Sequence, residues 1–209
     1  MASAALCIDP YKDNEGGFGP KIKGLQLGQK MSLLDIVSWG VAQGKLPFTL
    51  WLNREFMNNL AIKFEGQGTD FKSFSVDRAE GRYAGLKNFS GKLGDLLSEV
   101  DKLGFKKRTF FDDRVLGIYF DGRIHVDDDM RVTRLWFSMS DFGAGEMLPQ
   151  EFAQAIINAY GIPGLESVGR NEWRYRNFSQ GWQVTVDGGH HSSTSGVIVS
   201  PIVIQTAFD

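Results

Sequence analysis

Apolar residues recur at helical spacing in three segments of the chain, and a glycine ends each segment. The segments are 32–44, 90–104 and 148–161. Residues three or four apart share one side of a helix, so each segment predicts a helix with one apolar face. In the first segment Ser32 and Asp35 have the spacing of an N-terminal cap. Glycine readily adopts the left-handed conformation that ends a helix, which fits all three final positions.

Between these segments the apolar pattern changes to alternation, which is typical of strands. The predicted strands are 60–66, 71–77, 114–120, 123–126, 131–139, 172–178, 181–187 and 197–208. The dipeptide Asp121-Gly122 favours a hairpin between two of them. The segment 53–60 fits either a strand or a helical turn. Pro201 predicts that the last strand is broken, bulged or at an edge, because proline has no N–H to donate.

A helix with one apolar face must cover that face with another element, and here the neighbouring elements are strands. The pattern therefore predicts an α+β fold of tandem helix-on-antiparallel-sheet units. The similar spacing of the three helix-ending glycines favours two to three diverged repeats, although chance spacing stays an alternative. The predicted division is a poorly ordered leader, 1–22, followed by units 23–87, 88–145 and 146–209.

Composition narrows the classes of function. Of the 209 residues, 42% are hydrophobic and 23% are charged, as in ordinary globular proteins. The net charge of −2 predicts no nucleic-acid partner, because a phosphate-binding surface needs a basic patch. The single cysteine, Cys7, excludes an internal disulfide. No apolar run is long enough to span a bilayer, and the N-terminus lacks an intact signal peptide, although it could be a processed remnant. The bacterial cell envelope and the cytoplasm stay open as locations.

Residues that could carry catalysis are few, and the sequence predicts no cofactor. It contains neither a nucleophile elbow nor a phosphate-binding loop. His125, Asp127 and Asp129 would share one face of a strand, which suits a metal ion and defines one alternative, a metal-assisted hydrolase. His190 and His191 lie in a glycine- and serine-rich loop and could add ligands. The preferred interpretation is a strand that ends in a solvated acidic turn, so no metal site is assigned.

The best candidate for a binding surface lies in the segment "EWRYRNFSQGW", residues 172–182. Alternation places Trp173 and Tyr175 on one face of a strand and Arg174 and Arg176 on the other. Trp182 follows across the predicted hairpin. If a helix covers the arginine face, the aromatic side chains form an exposed patch, because Trp, Tyr and Arg dominate interface energetics. In the preferred alternative the aromatic side chains face the core, and the arginines make the contacts.

Two parts of the sequence resemble the β-lactamase-inhibitor-protein-like superfamily, which includes the SmpA/OmlA outer-membrane lipoproteins. "IKGLQLGQKMSLLDIV" is similar to the opening phrase of those domains and carries its pattern at six positions, Gly24, Gly28, Met31, Ser32, Asp35 and Val37. Residues 155–187 resemble the helix, glycine-proline break and aromatic hairpin, with matches at Gly161, Pro163, Trp173, Tyr175, Gly181 and Val184. The resemblance implies a helix layer on an antiparallel sheet and function by protein–protein contact. It implies no catalytic residue.

These observations together predict a non-enzymatic protein-binding module of bacterial or phage type, with an inhibitory or envelope-associated role left open. Its partner would be another protein, unidentified from sequence, and a homo-oligomer stays open. Besides the metal-assisted hydrolase, a further alternative is a structural component of an assembly that pairs through its C-terminal strand, 196–208.

Overall fold

The structure of the chain is a computed structural model, and it describes residues 17–55, 58–104, 119–120, 124–127, 129–189 and 196–202. For residues 53–55, 58 and 119–120 only the backbone is described. Three α-helices and twelve β-strands lie in these ranges. The helices are α1 Leu33–Ala42, α2 Leu93–Leu103 and α3 Pro149–Tyr160. The strands are β1 Phe18–Ile22, β2 Leu25–Leu27, β3 Leu46–Glu55, β4 Asn58–Gly68, β5 Asp70–Ala79, β6 Tyr119–Phe120, β7 Ile124–Val126, β8 Val132–Ser138, β9 Glu166–Gly169, β10 Glu172–Asn177, β11 Trp182–Asp187 and β12 Gly196–Pro201.

The chain forms two compact units, and one is inserted into the other along the sequence. The inserted unit contains residues 30–132, and the second unit combines residues 1–29 with 133–209. The inserted unit begins and ends at paired residues, because Lys30 bridges Arg131 in antiparallel fashion. Next to that bridge the Met31 amide donates to the Met130 carbonyl at 2.9 Å. The two ends of the inserted unit therefore lie side by side.

The inserted unit is an antiparallel sheet with the strand order β5-β4-β3-β6 and helices packed on one face. Alternate residues of β3 and β4 are buried on that face, among them Leu50, Ile62 and Phe64. The core also receives Ile36 from α1 and Leu96 from α2, both fully buried. The apolar face predicted for α1 packs on β3, and α2 packs on α1 and on the 3-10 turn Gly81–Leu86.

The other face of this sheet is polar. Lys63 Nζ lies 2.6 Å from Glu65 Oε1, two residues further along β4. The hydrogen bond and the charge of Glu65 raise the pKa of the Lys63 ammonium. The guanidinium of Arg78 lies 5.9 Å from the centroid of the Trp51 ring and covers this partly exposed aromatic side chain.

The second unit contains a sheet in which the strands β8-β12-β11-β10-β9 are antiparallel neighbours. Helix α3 and the hairpin β1–β2 pack on one face, on which Val184, Val186 and Val199 are fully buried. Phe142 lies in the centre of this core, and its ring is 6.0 Å from that of Phe137 and 5.8 Å from that of Phe152.

The predicted α+β class is confirmed, with helices on antiparallel sheets and each helix within a few residues of its expected bounds. Ser32 caps α1, and its hydroxyl accepts from the Asp35 amide at 3.1 Å. The three helix-ending glycines have positive φ, 69° at Gly44, 67° at Gly104 and 62° at Gly161. The two units do not coincide with the predicted division of the chain, which stays a prediction.

Other expectations differ from the structure or fall outside the described residues. Residues 18–22 were expected in the leader but form β1, because Ile22 is buried in the core. Residues 1–16 and the Asp121-Gly122 turn lie outside the described residues. Of the segment 53–60, residues 53–55 continue β3 and 58–60 begin β4 as strand, since both strands pair along their length. The last strand ends at Pro201, and Ile202, the last described residue, is no longer strand, which agrees with an interruption at Pro201; residues 203–208 lie outside the described residues.

Candidate protein-binding surface

Strand β10 places alternate side chains on the two faces of the sheet in the second unit. Trp173 lies opposite Val186, and Tyr175 lies opposite Val184. Cross-strand neighbours share a face, so both aromatic side chains lie on the buried face, beside α3 and β1–β2. The Tyr175 ring also contacts the Trp182 ring at a centroid distance of 5.3 Å.

The two arginines of β10 lie on the opposite face, which we call the open face. Arg174 is the neighbour of Thr185 on β11, and Arg176 is the neighbour of Gln183. Arg176 is exposed, whereas the side chain of Arg174 is 30% exposed. The alternation of β10 therefore separates the aromatic side chains from the arginines, because successive residues of a strand point to opposite faces.

A cleft of about 200 Å³ lies at the edge formed by β9 and β10, and we call it the edge cleft. Its lining residues are Glu166, Val168, Arg174, Tyr175, Arg176 and Phe178. The pairing of Glu166 with Arg174 places the Glu166 side chain on the open face, and Val168 lies where the register between β9 and β10 shifts. Among the described strands β9 pairs with β10 alone, so the cleft lies at a sheet edge.

Two apolar side chains of the edge cleft are exposed to solvent. Val168 is 47% exposed and Phe178 is 71% exposed, whereas the core phenylalanines of the same unit are fully buried. A single exposed apolar side chain is common on protein surfaces, but two beside a pair of arginines form the kind of patch that partners contact.

The turn that carries Phe178 is held by its own hydrogen bonds. Asn177 Oδ1 accepts from the Ser179 hydroxyl at 2.7 Å and from the Gln180 amide at 3.1 Å. The Gly181 amide donates to the Asn177 carbonyl at 2.8 Å. Because the turn is ordered before any partner arrives, Phe178 can stay exposed at a small entropic cost on binding.

The charges of the edge cleft are unevenly compensated. Arg174 Nη2 lies 3.1 Å from Glu172 Oε1, which gives this guanidinium an ionic partner on the same strand. The buried Nε of Arg174 has no hydrogen-bond acceptor within the described residues. Arg176 Nε donates at 3.4 Å to the amide oxygen of Gln183, a neutral group. The cleft is therefore lined by the Arg176 guanidinium, whose Nε has a weak neutral partner, and by the Arg174 guanidinium, which is paired with Glu172.

The structure brings together three of the five predicted binding residues, Arg174, Tyr175 and Arg176. Trp173 is half-buried beside Val186, and Trp182 is 6% exposed. The exposed patch of Trp173, Tyr175 and Trp182 is therefore not formed, because α3 and β1–β2 cover the aromatic face. Gly19 of β1 lies so close to the Trp182 ring that a Cβ there would be 3.2 Å from it.

Sequence reasoning missed Glu166, Val168 and Phe178. The strand β9 was not predicted, since its four residues show no apolar alternation. Phe178 was assigned to the end of a strand, although an aromatic residue followed by Ser-Gln-Gly could have indicated a side chain exposed in a turn.

The metal alternative required His125, Asp127 and Asp129 on one face of a strand. Strand β7 ends at Val126, and Asp127 Oδ1 accepts from the Asp129 and Arg131 amides at 3.0 and 2.9 Å. Asp127 thus organises a turn, and the same-face argument does not extend to it. The part of the chain that the structure describes contains no group of three His, Cys, Asp or Glu side chains that could hold a metal ion. His190 and His191 lie outside the described residues.

The assembly alternative assigned edge pairing to residues 196–208. Residues 196–201 form β12, which pairs with β11 on one side and with β8 on the other. Residues 196–199 therefore have no free edge, residues 200–201 are paired only with β11, and residues 203–208 lie outside the described residues. As for membranes, none of the described helices has the length and apolar character needed to cross a bilayer.

Comparison of the chain with family models, curated proteins and solved structures gives no match. The resemblance to the β-lactamase-inhibitor-protein-like superfamily stays a prediction that rests on the residues quoted for it.

Proposed function

We propose that the chain is a non-enzymatic protein-binding module that contacts its partner through the edge cleft and the exposed turn beside it. The observation that supports this proposal most is the position of Phe178. It is 71% exposed, it lies in a turn with internal hydrogen bonds, and it lines a cleft together with Arg174 and Arg176. Exposed aromatic side chains and arginines are both enriched at protein–protein interfaces.

The size of the cleft also favours a protein partner over a small molecule. Sites that enclose small molecules and cofactors measure roughly 300–1,000 Å³. The edge cleft measures about 200 Å³ and lies at a sheet edge. It can receive one or two side chains of a partner, while the flat open face beside it supplies further contact area.

Site-specific photo-cross-linking tests the proposal in the cells that produce the protein. A photoreactive phenylalanine analogue, benzoylphenylalanine, replaces Phe178 in the full chain, and irradiation should yield one dominant protein adduct. The same analogue at Leu148 is the matched control, because Leu148 is 59% exposed in the same unit but does not line the cleft.

The proposal predicts an adduct at position 178 that is absent at position 148. Equal adducts at both positions would indicate random collisions, and no adduct at 178 would contradict the proposal. Circular dichroism of both labelled proteins checks that the substitutions leave the fold intact.

We also propose that the two units are diverged copies of one ancestral pattern. In the inserted unit α1 precedes the meander β3-β4-β5, and in the second unit α3 precedes the meander β9-β10-β11-β12. In each unit the helix packs on the antiparallel sheet built from those strands. The shared order of elements supports a repeat of the helix-then-strands unit.

A further inference from the structure

The edge cleft contains one apolar side and one cationic side, and together they specify a kind of partner. We infer that it binds an extended segment of a partner protein in which an acidic side chain lies next to an apolar one. This inference rests on the proposed function and adds the chemistry of the bound segment.

The apolar side consists of Val168 at the end of β9 and Phe178 in the turn after β10. Both side chains are exposed, at 47% and 71%, and both line the cleft. Apolar side chains of an extended partner segment that pack against Val168 and Phe178 remove apolar surface from water. Burial of apolar surface lowers the free energy, and neither side chain is buried within its own unit.

The cationic side consists of the two arginines. Arg176 is exposed, and its Nε–H donates only weakly to a neutral amide oxygen, at 3.4 Å. The Nε–H of Arg174 is buried, so a ligand can reach this guanidinium only through the exposed part of the side chain, which is 30% of it. A carboxylate satisfies such donors better than any neutral group, since arginine and carboxylate match in a bidentate, charge-assisted geometry.

The acidic residues around the cleft determine which charge prevails. Glu172 compensates Arg174 through the contact of 3.1 Å but does not line the cleft. The charged groups that line it are the guanidiniums of Arg174 and Arg176 and the carboxylate of Glu166. Glu166 would attract a basic segment and the arginines an acidic one. We choose the acidic segment because two cationic groups and one anionic group line the cleft.

Selection from a random twelve-residue peptide display library tests the inference with the full chain. Peptides are selected on the wild-type protein and counter-selected on the double variant Arg174→Gln/Arg176→Gln. The enriched peptides should carry Asp or Glu next to an aliphatic or aromatic residue. Fluorescence anisotropy then measures the Kd of the most enriched peptide for the wild type and for single variants.

The two single variants should affect peptide binding differently. Arg176→Gln should weaken binding about tenfold, which corresponds to the loss of one charge-assisted hydrogen bond. Glu166→Gln should leave binding unchanged or strengthen it, because it removes a like charge from the cleft. Thermal unfolding of each variant shows whether the fold is retained.

Three results would overturn the inference: enrichment of Lys- or Arg-rich peptides, an unchanged Kd for Arg176→Gln, or no peptide enriched over the counter-selection. These failures differ from failure of the proposed function. If position 178 cross-links to a partner and no acidic peptide is enriched, the module binds a protein by other chemistry. If position 178 gives no adduct, the proposed function itself is contradicted.

Discussion

Phe142 and Phe178 carry the same type of side chain in one unit, but one side chain is buried and the other is exposed. Phe142 is fully buried, and its ring contacts those of Phe137 and Phe152. The ammonium of Lys23 also lies 5.4 Å from its centroid. Phe178 is 71% exposed in a turn beside the edge cleft. One residue therefore belongs to the core and the other to the surface that we propose as the binding site.

Alanine substitution of these two residues should separate stability from binding. Phe142→Ala should lower the free energy of unfolding by about 3–5 kcal/mol, because it leaves a cavity in a packed aromatic cluster. Phe178→Ala should change it by no more than about 0.5 kcal/mol, since the ring has little packing to lose. Urea denaturation followed by circular dichroism measures both values.

The result that would contradict this assignment is a large loss of stability for Phe178→Ala. Such a loss would mean that the ring packs against the unit in solution, and it could not then serve as an exposed contact for a partner.

At the scale of elements, helix α1 is the one that sequence reasoning describes most completely. Its cap consists of reciprocal bonds: the Ser32 hydroxyl accepts from the Asp35 amide at 3.1 Å, and Asp35 Oδ2 accepts from the Ser32 amide at 2.8 Å. The helix ends before Gly44, with φ of 69°. These interactions are local in sequence, and local signals are the ones that a sequence displays directly.

The cap gives a prediction of its own. Ser32→Ala should lower the free energy of unfolding by about 1 kcal/mol, because the Asp35 amide loses its acceptor at the start of the helix. Asp35→Ala should cost a similar amount, and the double variant should cost less than the sum, since the two residues share one set of bonds. Strictly additive losses in urea denaturation would show that the capping box is not formed in solution.

Strand β10 shows where sequence reasoning reaches its limit. The sequence shows that aromatic residues and arginines alternate in β10. Which of the two faces is buried depends on α3 and β1–β2, whose residues lie elsewhere in the sequence. Val184 and Val186 on β11 settle that choice, since Tyr175 and Trp173 lie opposite them. The edge cleft was not predictable for the same reason, because it depends on the pairing of β9, a short strand without an apolar pattern, with β10.

The whole molecule consists of two compact units, and the spacing of apolar residues along the sequence did not indicate where they begin and end. Three helices at similar spacing indicated up to three consecutive segments. That division stays a prediction; in the structure residues 30–132 form one compact unit, and the residues on either side of them form a second. Lys30 and Arg131, at the two ends of the inserted unit, pair with each other. Ends that lie close together make such an insertion possible, because the surrounding unit is then interrupted by two adjacent points of attachment only.

The proposed binding surface belongs to the surrounding unit alone. All residues of the edge cleft lie between positions 166 and 178, on two neighbouring strands and the turn that follows them. We therefore assign partner binding to one sheet edge, and we predict that arginines elsewhere on the same sheet contribute little to the affinity for the partner. Arg134 on β8 is such an arginine, and it is exposed.

The most direct measurement is the Kd of the protein partner identified by cross-linking at position 178, determined by biolayer interferometry. The comparison uses the wild type, the double variant Arg174→Gln/Arg176→Gln and the control Arg134→Gln, all with matched melting temperatures. We predict that the double variant binds at least about tenfold more weakly, as expected for the loss of charge-assisted hydrogen bonds, while Arg134→Gln binds like the wild type. An unchanged Kd for the double variant, or an equal loss for Arg134→Gln, would contradict binding through the edge cleft.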